Sequence, residues 1–135
     1  MIVKLLLAAF LLGHGLIHTF FVSPAPPATA SGPSWPFELA RSWVLTPLGL
    51  DAGVLRVVGL ALIAATIAGF ALAAVSTLGV LPAALWVGGV VLGSLASLAL
   101  LGLFFQPWLV LGVAIDLALL AIVLGTGWRP ESLGA

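Results

Sequence analysis

The 135 residues are 63% hydrophobic and only 6% charged, with four Lys/Arg against four Asp/Glu and no cysteine. A soluble domain carries roughly 25% charged residues, and a disordered segment combines low hydrophobicity with high net charge, so both classes are excluded. The same numbers exclude a basic nucleic-acid-binding surface, a disulfide framework and thiolate chemistry.

What remains is an all-α polytopic membrane protein, a single transmembrane domain over residues 1–135 whose surrounding partner is the lipid bilayer. Crossing a hydrocarbon core about 30 Å thick takes roughly 20 apolar residues, and four segments qualify. The first runs over about residues 2–22, interrupted by Lys4 near its start and by His14 and His18. Lys4, the apolar run and the small residues Ala28-Thr29-Ala30 also have the layout of a secretory signal with a cleavage site. The run reaches Val22, long for a signal core, and Ser23-Pro24-Ala25-Pro26-Pro27 would put cleavage well past its end, so a retained helix is expected.

The one substantial loop follows, residues 23–53. Trp35, Leu39 and Trp43 recur there at four-residue spacing, which predicts a short helix over 35–45 lying in the interface, Glu38 and Arg41 toward water. An irregular loop anchored by its tryptophans is the alternative. The second span, about residues 54–75, follows Asp51 as its cap and carries Arg56 at its entrance. The third, about 81–105, has no charge; the fourth, about 107–127, has one, Asp116. Pro82 and Pro107 stand where a first helical turn tolerates a missing N–H. Trp108 and Trp128, twenty residues or about 30 Å apart, fit an aromatic belt at each interface.

Lipid supplies no hydrophobic drive between helices, so small residues mark where backbones approach. Ala61, Ala65, Gly69 and Ala73 form one such ridge, and Gly89, Gly93 and Ser97 another; their partner is either internal or another subunit, a homo-oligomer or a larger membrane complex. With four spans both termini share a side. Lys4 and Arg129 lie there against Arg41 and Arg56 opposite, a tie that only the short N-terminal tail tips toward cytoplasmic termini.

Ionisable residues inside a bilayer are the default functional candidates, and here they are His14, His18 and Asp116. With the first helix centred near residue 12, His14 lies about 3 Å toward the long-loop side; with the antiparallel fourth centred near 117, Asp116 lies about 1.5 Å toward the same side. His18 stands one turn above His14. Thr66, Gln106 and Arg56 belong to the same half, which predicts a polar funnel that opens toward the loop, with these three on its rim, and ends at His14 and Asp116. Three readings follow from that placement. A His14–Asp116 hydrogen bond would join the first and fourth helices structurally. Two imidazoles at i and i+4 with one carboxylate make a ligand set for zinc or non-haem iron. The pair would also serve as a proton or substrate relay. Gly13 and Gly15 beside His14 suit close approach of another backbone or of a ligand. Phosphate-loop, dinucleotide and nucleophile-elbow motifs are absent.

The run Gly13-His14-Gly15-Leu16-Ile17-His18, with Phe20-Phe21 after it, resembles the opening of a group of small bacterial four-helix membrane proteins whose first helix carries His-Gly-x-x-His. The segments Arg41 to Leu45 and Pro107 to Asp116 share that resemblance. A more distant similarity, in helix count and size, is to DoxX-like membrane proteins, some associated with quinone- or thiol-linked redox systems. The resemblance implies four spans in the bacterial inner membrane and transfers no activity. The expectation is a small integral membrane protein with a His/Asp site, binding a metal or redox cofactor or serving a redox or transport partner. The alternative is an accessory or scaffold subunit in which that site is structural and the small-residue ridges are the working surface.

Overall fold

The computed structural model describes residues 1–27 and 35–133. The cleavage-like run Ala28-Thr29-Ala30 lies outside the described residues. Among the described residues four α-helices make up the fold: α1 (Ile2–Leu16), prolonged by a tighter 3-10 stretch over Ile17–Val22; α2 (Ala52–Thr77); α3 (Ala84–Leu103); and α4 (Val110–Leu120). A 3-10 turn over Pro107–Leu109 leads into α4, and a wide π-helical turn over Ala121–Thr126 extends it. The resulting segments Ile2–Val22, Ala52–Thr77, Ala84–Leu103 and Pro107–Thr126 are each long and apolar enough to cross a membrane. No strand occurs among the described residues.

Local chemistry sets the ends. Asp51 Oδ1 accepts the backbone N–H groups of Gly53 (2.7 Å) and Val54 (3.0 Å), two of the donors that a first turn leaves without a helical partner. Asp51→Ala is expected to lower stability by about 1 kcal/mol without altering the site, as read by thermal unfolding in detergent. Toward the end of the first span, side chains load the backbone carbonyls: the His18 ring bonds the oxygens of His14 and Gly15, and Thr19 donates to Leu16. Side-chain donors at these oxygens compete with the i→i+4 ladder, and there the helix tightens to 3-10. Gly127, at φ +65°, closes the π-helical turn after α4 in the left-handed conformation that glycine adopts without a steric cost.

Helix α1 packs on α2, α2 on α3 and α3 on α4, while α1 and α4 make little direct contact. The tightest seam joins α2 to α3. A Cβ placed on Gly69 would lie 2.7 Å from the Gly93 Cα and 2.8 Å from the Gly89 carbonyl oxygen, and one on Gly89 would lie 2.7 Å from the Ala73 nitrogen. Gly69 and Ala73 of one ridge therefore face Gly89 and Gly93 of the other inside the chain, which takes Gly69, Gly89 and Gly93 out of any docking surface. Gly15 plays the same part between α1 and α2, its virtual Cβ 3.1 Å from Phe70, whereas Gly13 has open space beside it.

Two apolar clusters fill the bundle. One holds Leu11, Phe70, Trp86, Val90 and Leu119; the other, nearer the long loop, holds Phe21, Leu39, Ile63, Leu100 and Leu109. Along each span a buried polar position falls between residues of the two clusters: His14 and His18 on α1 and its 3-10 extension, Thr66 on α2, Ser97 on α3 and Asp116 on α4.

The predicted interfacial helix over 35–45 is not formed. The loop is irregular, with bends followed by turns over residues 43–49. Pro36 disfavours helical backbone at the residue before it, and the Ser42 hydroxyl accepts the N–H groups of Val44 and Leu45 in a turn instead. A helix would also place Leu39 and Trp43 on one face, yet Leu39 is buried over Gly59 while Trp43 is exposed. Ser42 Oγ donates to the Leu103 carbonyl (2.6 Å) and Trp43 Nε1 to that of Gly102 (2.7 Å), so the loop is tied to carbonyls that α3 leaves without helical donors. Of the two tryptophans that bracket the fourth span, Trp108 is exposed, whereas Trp128 is half-buried and packs edge-on against Trp86 with ring centroids 5.5 Å apart.

Candidate functional site: a buried His–Asp–Ser–His network

At mid-bundle His14 Nε2 lies 2.9 Å from Asp116 Oδ1, joining the first and fourth spans. The other carboxylate oxygen, Oδ2, is 2.5 Å from Ser97 Oγ, and that hydroxyl is 2.8 Å from His18 Nε2. The remaining His18 nitrogen, Nδ1, lies 3.0 Å from the His14 carbonyl oxygen and 3.3 Å from that of Gly15. Four side chains from three helices thus form one continuous network, His14–Asp116–Ser97–His18. Asp116 and Ser97 are fully buried, His18 is 2% exposed and His14 8%. Phe70 holds the His14 ring edge-on at 5.0 Å, Phe10 stacks on it at 6.1 Å, and the ring of His18 meets it edge-on at 5.6 Å.

The number of protons in this network follows from which groups can donate. His18 Nδ1 faces carbonyl oxygens only, so it carries hydrogen and donates. Ser97 has one hydroxyl hydrogen but two acceptor-type neighbours when Asp116 is ionised and His18 is neutral. In that state either the 2.5 Å contact to Asp116 or the 2.8 Å contact to His18 would bring two lone pairs together without a hydrogen. One further proton satisfies every contact, in either of two arrangements. Ionised Asp116 accepts from Ser97 while doubly protonated His18 donates to Ser97, or protonated Asp116 donates to Ser97 while Ser97 donates to neutral His18. Both arrangements leave the site without net charge, the inexpensive condition in a low-dielectric interior. In both, His14 Nε2–H donates to Asp116 Oδ1.

Of the residues singled out from the sequence, His14, His18 and Asp116 meet in this network. They do not form a metal cup: among the described residues no three His, Asp or Glu side chains converge as metal ligands, because Ser97 stands between His18 and Asp116. The structure does not bring Thr66, Gln106 and Arg56 together. Thr66 is fully buried and its hydroxyl donates to Leu62 in its own helix (2.8 Å); Gln106 lies in a surface cavity with Glu38 and Arg41; Arg56 borders another beside Phe37 and Glu38. The cavity that His14 and His18 do line has a volume of about 150 Å³, with Phe37 toward the loop and Trp108 and Ile115 of the fourth span across from them. Exposed Ile17, Trp108 and Leu111 flank it, which gives it a lateral opening between the first and fourth spans.

Ser97, by its place on the small-residue ridge with Gly89 and Gly93, has the sequence pattern of a packing residue. Its signal was depth: it lies roughly 5 Å past the centre of α3 toward the loop side, in the same half of the membrane as both histidines. No protein-family model, no curated protein and no solved structure matches this chain.

Proposed function

We propose that this is a multi-pass protein of the bacterial inner membrane whose working site is the His14–Asp116–Ser97–His18 network, which stores one proton and passes it between His18 and Asp116 for a redox or transport partner in the same bilayer. The observation that carries this reading is the hydroxyl of Ser97 set between His18 Nε2 and Asp116 Oδ2 at 2.8 and 2.5 Å. In one step the proton on His18 Nε2 bonds to Ser97 Oγ as the Ser97 hydroxyl proton bonds to Asp116 Oδ2. An N–H and an O–H bond break, two O–H bonds form, and charges of opposite sign on His18 and Asp116 are cancelled. A hydroxyl relay of this kind needs no movement of the helices.

The test is infrared spectroscopy of the carboxyl region together with the ring-nitrogen resonances of isotope-labelled histidine, of which the chain has two. The expected result at neutral pH is a protonated carboxyl band that vanishes in Asp116→Asn, a doubly protonated His18, or exchange between the two. Ser97→Ala should stop that exchange while leaving the His14–Asp116 contact in place. An ionised Asp116 beside a singly protonated His18 in the wild type would overturn the reading.

The near-complete burial of the network favours a second reading, an accessory subunit in which these bonds only hold α1, α3 and α4 together. On that reading Ser97→Ala lowers stability, by about 1 kcal/mol on the scale of membrane hydrogen bonds, and leaves partner activity unchanged.

A further inference from the structure

The cavity beside the two histidines has a defined chemistry. Its 150 Å³ is about the room that one benzene-sized ring takes, and its walls are mostly apolar and include the aromatic side chains of Phe21, Phe37 and Trp108. Among the described residues, Nδ1 of His14 has no hydrogen-bond partner, although the side chain is more than nine-tenths buried and lines the cavity. The other ring nitrogen of His14 and both nitrogens of His18 are engaged. Since Nε2 of His14 donates to Asp116 in either arrangement of the stored proton, Nδ1 carries a lone pair and is an acceptor.

We infer that this cavity is a binding site for a lipid-soluble phenol-type molecule, which enters from the bilayer between α1 and α4, seats one aromatic ring among Phe21, Phe37 and Trp108, and donates its hydroxyl to His14 Nδ1. The ring size follows from the volume, the aromatic character from the walls, and the need for a donor from the lone pair. A long apolar tail is accommodated because exposed Ile17 and Leu111 flank an opening on the bilayer-facing surface of the bundle. A ketone or an ether of the same shape lacks the hydrogen that His14 would accept. The assignment rests on the proton-storing reading for one point, that Nε2 rather than Nδ1 of His14 carries the hydrogen.

The experiment compares para-nonylphenol with its methyl ether, titrated into the protein in lipid nanodiscs while the labelled histidine nitrogens are observed. The phenol should bind saturably and shift the His14 Nδ1 resonance, the ether should bind about tenfold more weakly, in line with loss of one buried hydrogen bond, and Ile115→Trp, which fills the cavity, should abolish binding. Equal binding of phenol and ether by the wild type, or a phenol titration that leaves His14 Nδ1 unmoved, would overturn the inference without recourse to any variant. Failure of the phenol with the proton still found on Asp116 or His18 removes the cavity assignment alone. A wild type that binds the phenol at His14 but holds no extra proton removes the proton-storing reading alone.

Discussion

Asp116→Leu is expected to destabilise the bundle by about 3 kcal/mol, while Asp116→Asn should cost less than about 1 kcal/mol. The leucine removes an acceptor that serves both His14 and Ser97, leaving a buried N–H and a buried hydroxyl with lost partners. Asparagine reproduces the arrangement in which the carboxyl is protonated. Its oxygen accepts from His14, its amide donates to Ser97, and Ser97 donates to His18. It does this with no titratable proton in the side chain, so the variant should stay folded and lose proton storage. Thermal unfolding in detergent, read beside the infrared carboxyl band, checks both halves. If asparagine is as damaging as leucine, the proton count derived from the contacts is wrong.

Gly69→Leu should be at least as disruptive, by about 3 kcal/mol or more, because its first added carbon already overlaps the backbone of α3 at Gly89 and Gly93, which has no rotamer by which to give way. Gly88→Leu is the matched control: a Cβ there meets nothing within 4 Å, and stability should change by less than about 0.5 kcal/mol. The measurement is the fraction of folded protein recovered from mild detergent, followed by its unfolding temperature. Gly93→Leu belongs with Gly69→Leu, since a Cβ at that position would press on the Phe70 ring at 2.9 Å. Equal tolerance of leucine at Gly69 and Gly88 would show that the α2–α3 seam is looser than described.

The correspondence between residues and fold is closest where one helix answers to the bilayer alone. Apolar length, the Asp51 cap and Pro82 and Pro107 near the helix starts are local features, and the four spans Ile2–Val22, Ala52–Thr77, Ala84–Leu103 and Pro107–Thr126 stand within a few residues of where those features put them. Depth is also local, since it is counted along one axis at about 1.5 Å per residue; for that reason His14 and Asp116 were recognisable as neighbours across 102 positions of sequence. Of the two readings open for residues 35–45, the structure has the irregular loop anchored by tryptophan: the four-residue spacing of Trp35, Leu39 and Trp43 describes an amphipathic face only if the backbone is helical, and Pro36 and the turn at Ser42 prevent that.

Rotation about each helix axis is another matter. Helices apolar on nearly every side carry little signal of which face turns inward, and that choice is made by the summed fit of neighbours. It is the α2–α3 glycine seam that turns Ser97 from a packing residue into the bridge between Asp116 and His18. The sparse contact between α1 and α4, in turn, leaves the histidines facing a cavity with a lateral opening. Four membrane-length helices with ionisable groups at one depth are legible in the residues alone, because hydrophobic length and rise per residue are properties of single segments. Which polar atoms touch, and from which side they are reached, is settled by tertiary packing, because hydrogen bonds close over less than 3.5 Å and depend on how all four helices are turned.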